Sequence, residues 1–119
     1  DPERVKHPVL RYKRVINGVN GIQAALADGN LVSFGSAWFD SWMEGSVLPE
    51  VSKDSTVAGG HETYLYGYDA DTGFLFGANS WGNYNDQQGR YMMPFSAVDV
   101  FKSFGGYDAH IFTVEWTAA

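Results

Sequence analysis

The sequence predicts a small α+β domain, mainly antiparallel β with one short helix, and three observations carry that prediction. Aromatic residues make up 16% of the chain and 14 glycines fall at turn-like intervals, which together favour short strands over long helices. At 119 residues and 45% apolar, the chain can bury one core but not two comfortable ones. A helical period is clear at one stretch, near residues 20–29, whereas several β-rich runs are bounded by turn residues.

Taken in order, residues 1–18 hold Pro2, Pro8 and Asn17-Gly18 with mixed charge and no sustained period, an extended basic lead-in to a body spanning 19–119. "NGIQAALADGN" then predicts a helix of about two turns. Asn20 is its expected N-cap, Ile22, Ala25 and Leu26 form one face, and Gly29 occupies the position after the C-cap. "LVSFGSAWF" reads as a buried strand at about 31–37, with Gly35 marking a close approach by another backbone or a ligand. The polar stretch that follows, "DSWMEGSVLPEVSKDSTVAGG", is long for a connection inside a compact domain, and such loops often line sites. "HETYLYGY", "DADTG" and "FLFGANS" form a strand, a turn and a strand. "GRYMMPF" is a strand stopped by Pro94, "SAVDVFKSF" a short helical or irregular segment, and "AHIFTVEW" a terminal strand.

Charge narrows the function classes. The net −6 is unevenly spread: Arg4, Lys6, Arg11, Lys13 and Arg14 crowd the lead-in, leaving three cations against twelve acids from residue 15 onward. An acidic body repels phosphate backbones, so no nucleic-acid partner is expected, and the lead-in reads as a solvated or partner-docking arm. With no cysteine, disulfides and thiolate metal ligands are excluded, and neither a metal site nor a cofactor is expected. No apolar run is long enough to span a membrane and no signal-peptide h-region is present, so a soluble chain with no membrane partner is expected, in a compartment left open.

On chemistry alone, His61 beside a Gly pair is more often structural than catalytic, and Asn79 at a strand end more often serves a turn. Their order changes the weighing. Gly59-Gly60-His61, Gly67-Tyr68 and Asn79-Ser80-Trp81-Gly82, with the Asn eighteen positions after the His, resemble the C-terminal half of the papain-like cysteine peptidases. "IQAALADGNLVSFG" and "GRYMMPFSAV" extend the likeness to about residues 20–98, about two thirds of the chain.

The resemblance implies the right-hand half-barrel domain of that fold and the family's Cys–His–Asn chemistry. His61 would be the general base and acid, an imidazole able to stabilise a thiolate and later protonate the leaving amine. Asn79 would fix the ring's tautomer and rotation without adding charge, and Trp81 would shield that hydrogen bond from water. Gly60 would let a substrate backbone pass close to His61. Ordinary aromatic core and an ordinary turn remain the alternatives for Trp81 and Gly60. The family's nucleophilic Cys and oxyanion Gln have no counterpart here, and Tyr84, Asn85 and Asp86 alter the turn after Asn-Ser-Trp-Gly. The expectation is therefore the His/Asn-bearing segment of a cysteine peptidase acting on a peptide or protein substrate. It would be inactive without a Cys-bearing N-terminal half from the same precursor or another chain. The alternative is a catalytically inactive module with a structural or protein-binding role in a larger assembly.

Overall fold

The computed structural model describes residues 6–79 and 89–118. Its strands are β1 (Lys6–Arg14), β2 (Val32–Phe39), β3 (Val57–Asp69), β4 (Phe74–Asn79), β5 (Arg90–Pro94) and β6 (Asp108–Ala118). Helices α1 (Gly18–Ala27) and α2 (Ser96–Val100) and 3-10 turns at Asp40–Trp42 and Phe101–Phe104 complete the described elements. The strands lie in the order β1-β6-β2-β3-β4-β5, each paired antiparallel with its neighbour, in an open sheet. The predicted α+β, mainly antiparallel class is thus the observed one, with a second short helix added.

Two local readings differ from the structure. Residues 6–14, read as an arm, form β1 and pair with β6 along their whole length, from Lys6 opposite Ala118 to Arg14 opposite His110. The partner comes from the far end of the chain, so no local period announces it. Helix α1 starts earlier than expected: its N-cap is Asn17, in the left-handed region at φ 73°, rather than Asn20. Asn tolerates that conformation, and the Asn17-Gly18 pair redirects the chain from β1 into the helix. The C-terminal end is as predicted. Gly29, at φ 88°, follows Asp28, and both the backbone N–H and the side-chain amide of Asn30 donate to the Ala25 carbonyl.

The two faces of the sheet are different in kind. Alternation along β2 turns Val32, Phe34 and Trp38 inward, and β3 adds Leu65, β4 Leu75 and β5 Tyr91 and Met93. Ile22 and Leu26 of α1, Ala97 and Val98 of α2, and Phe101 close over this face in one core. The long connection after β2 belongs to the same core through Trp42 and Leu48, both buried. The Trp42 indole N–H donates to the Pro49 carbonyl at 2.9 Å, and Leu48 and Met92 tie the loop to the β5 edge through backbone bonds. Each large apolar side chain buried this way is worth about 1.5–3 kcal/mol. The other face leaves Tyr12, Leu31, Tyr64, Tyr66 and Phe112 exposed.

The β3–β4 turn is held by Asp69, whose carboxylate accepts the N–H groups of Asp71 and Thr72. No helix among the described residues is long and apolar enough to cross a membrane.

Candidate active site

His61 lies on β3 opposite Ser36 of β2, and Asn79 ends β4 opposite Thr63 of β3. Because directly opposed residues of an antiparallel pair share a face and residues two apart on a strand do too, His61, Thr63 and Asn79 all point inward. His61 and Asn79 are diagonal neighbours across β3 and β4, a relation that places Cα atoms roughly 7–8 Å apart. Asn79 is only 7% exposed, and its backbone N–H donates to the Gly89 carbonyl at 3.0 Å, which fixes the strand end carrying the amide.

The floor beneath this pair is polar but satisfied. Thr63 Oγ1 and Tyr91 Oη are hydrogen-bonded at 2.7 Å, both groups buried. Tyr91 reaches Thr63 by lying across Gly77, its directly opposed partner on β4, where any Cβ would collide with the phenol ring. Burial pushes the Tyr91 phenol well above its ordinary value, so it stays a neutral hydrogen-bonding group. The His61 imidazole packs edge-on against the Trp38 ring, with centroids 5.0 Å apart at 71°. Burial also lowers the His61 pKa from 6.5, because desolvation penalises the imidazolium, and Nε2 is shut off from solvent.

On its open side His61 borders a cavity of about 360 Å³ shared with Gly60, Ser36, Glu62, Gly105 and Asp108. Gly60 faces that space with nothing near the position a Cβ would take. Glu62 alternates away from the imidazole, and its carboxylate lies over Gly35 of β2, where an added Cβ would come within 2.8 Å of Oε1. The close approach that Gly35 signals in the sequence is therefore made by a neighbouring side chain. Trp81, Tyr84, Asn85 and Asp86 lie outside the described residues. Among the described residues no group of His, Asp and Glu is arranged to hold a metal ion.

Sequence reasoning missed Trp38, Thr63 and Tyr91 as neighbours of the pair. Two signals pointed to them: the even-numbered alternation of β2, which puts Trp38 on the same face as Ser36, and the glycine inside the apolar run of β4.

The sheet order, the covering helices and the shared face of His61 and Asn79 define a papain-like fold. No family model matches the chain, and no curated protein does. Among solved structures the chain is similar to xylellain, a cysteine protease from Xylella fastidiosa, at 27% sequence identity and a TM-score of 0.73. The match covers 87% of this chain and 39% of that one, so the chain spans about two fifths of the length of the protease it resembles.

Proposed function

We propose that this chain is the His/Asn-bearing C-terminal segment of a papain-like cysteine peptidase, its thiol supplied by a segment outside residues 1–119 or by another chain. The observation that carries the reading is the inward placement of His61 and Asn79 on adjacent strands, in a fold shared with a cysteine protease, within a sequence that has no cysteine.

In this reading His61 takes the proton of a cysteine thiol brought against it, and the thiolate attacks the carbonyl carbon of the scissile peptide. The imidazolium then donates its proton to the leaving amine nitrogen as the C–N bond breaks, leaving an acyl-thioester that water hydrolyses with His61 again as base. The Asn79 amide oxygen accepts the N–H of one ring nitrogen so that the other faces the sulfur. Burial keeps His61 neutral at neutral pH, the form needed to accept a proton. Gly60 leaves room for substrate backbone, and the family resemblance would give Trp81 the role of covering the His–Asn bond.

The exposed aromatic face supports a partner. Tyr12, Leu31, Tyr64, Tyr66 and Phe112 are each between 42% and 65% exposed. Covering such a surface is worth roughly 25 cal/mol per Å² of apolar area; because it faces away from His61, the Cys-bearing half assigned to it in this reading must also pass round a sheet edge to bring its thiol to the imidazole.

The test is labelling of the complete protein with a thiol-directed epoxide. The expected result is labelling of wild type and at least about 100-fold slower labelling of His61→Ala, the scale of lost general-base catalysis. The 119-residue chain alone is expected to hydrolyse no peptide. Labelling that ignores His61→Ala overturns the assigned base, and absence of any labelled cysteine favours the alternative, an inactive module that kept the fold.

A further inference from the structure

The papain-like reading assigns the orientation of His61 to Asn79, on the β4 side. A second wall stands on the β2 side. Trp38 is diagonal to His61 across β2 and β3, two residues beyond the directly opposed Ser36, just as Asn79 is diagonal to it across β3 and β4 in the other direction. Trp38, His61 and Asn79 thus lie on one oblique line across three strands, with the imidazole in the middle.

Trp38 is itself immobilised. Only 2% exposed, its indole is met edge-on by Trp42 at 5.0 Å and by Tyr91 at 5.3 Å as well as by His61. Tyr91 is in turn bonded to Thr63, the residue directly opposite Asn79. One contact chain, Trp38 to Tyr91 to Thr63, therefore links β2 through the β5 phenol to β3 itself, two residues along the strand from His61. The open cavity lies on the remaining side, and an imidazole without Trp38 beside it would be able to swing toward that cavity. Rotation of that kind moves the proton-accepting nitrogen by more than an ångström, a displacement that costs about 100-fold in rate when a reacting group is involved.

We propose that Trp38 is the positioning residue for His61, an aromatic wall that sets the rotation of the imidazole from the side opposite Asn79. The proposal rests on His61 being the base, but its physical content, a fixed imidazole rotamer, is measurable without catalysis. An ordinary core tryptophan would be replaceable by any apolar side chain of adequate volume. A positioning one is replaceable only by another ring edge.

The test uses Trp38→Phe and Trp38→Leu. In the complete enzyme Trp38→Leu is expected to lower kcat about 10- to 100-fold with KM changed less than about twofold, and Trp38→Phe to recover most of the loss. In parallel, the ring protons of His61 are followed by NMR as a function of pH. Wild type should show them shifted upfield by the indole. Trp38→Leu should remove that shift and move the titration midpoint up, toward the ordinary histidine value, as water reaches the ring. Glu62, Asp108 and Tyr107 line the same cavity and Tyr91 lies behind Trp38, all unchanged in both variants, so they form a constant background.

A folded Trp38→Leu protein with unaltered kcat and unaltered His61 titration overturns the proposal. If that variant does not fold, His61 ring protons at random-coil positions in the wild type overturn it equally. Loss of activity in His61→Ala together with no effect of Trp38→Leu would refute the positioning role alone, whereas full activity of His61→Ala would refute the base assignment beneath it.

Discussion

The two faces of this sheet are built from the same kinds of residue and do opposite things. On the inner face Trp38, Trp42, Phe39 and Phe101 meet ring edge to ring, and the polar groups among them, Thr63 and Tyr91, satisfy each other. On the outer face Tyr12 and Phe112 also meet edge-on, at 4.9 Å, yet both remain about half or more exposed, as do Leu31 and Tyr64 within a few per cent. The difference teaches where information about function sits. The inner face holds its side chains in place with the chain's own atoms, so the geometry around His61 and Asn79 is already built. The outer face has apolar area that the described residues leave uncovered, the area the proposed partner would occupy.

Breaking the inner face should produce the largest effect on stability. Trp42→Ala removes a buried ring that contacts Trp38, Phe39 and Phe101 and the indole bond to Pro49. A loss of about 3–5 kcal/mol is expected in chemical denaturation, with the loop after β2 released from the β5 edge. A loss below about 1 kcal/mol would mean that the connection is packed only loosely on the core.

A smaller effect separates the site from the rest of that face. The folded-state pKa of His61 lies below its unfolded value near 6.5, so between the two the unfolded chain binds more protons than the folded one. Stability contributed by the neutral, buried imidazole is therefore complete above the unfolded value and declines as pH falls through 6.5 toward the folded one. Thermal melts from pH 8 to pH 5 should show a steeper acid decline for wild type than for His61→Gln. Superimposable curves would place the imidazole in water rather than against Trp38.

The smallest effect is expected on the outer face, and it sharpens the contrast. Tyr64→Ser, at a 46%-exposed position, should change the chain's own stability by no more than about 0.5 kcal/mol. Its effect should appear instead in association with the proposed Cys-bearing half, measured by titration calorimetry. If Tyr64→Ser destabilises the chain by more than about 2 kcal/mol, the outer face is part of the core and the comparison collapses.

Much of this was legible in the sequence because it depends on neighbours in the chain. Gly29 after Asp28, the Asp69 turn, Pro94 at the end of β5 and the alternation of β3 are all local, and each has a local physical cause. The pair of His61 and Asn79 was legible as two motifs in order, and the strand register then puts them on one face. What escaped notice depends on distant strands. Nothing near residues 6–14 encodes a partner a hundred residues away, and nothing near Trp38 states that His61 and Tyr91 converge on it. Asn17 displaced Asn20 as the helix cap because the turn out of β1 needed a left-handed residue, a demand set by where β1 lies and not by the helix.

The pairing of β1 with β6 has a consequence for how the molecule is made. During synthesis the first strand emerges long before the last, and the sheet position it will fill does not exist until residues 108–118 have left the ribosome. Bringing those ends together costs chain entropy that grows with the logarithm of the intervening length, and until it happens both backbone edges of β1 are unpaired rather than one. The lysine and arginine residues along that strand, Lys6, Arg11, Lys13 and Arg14, carry like charges that discourage a second nascent copy from pairing there first.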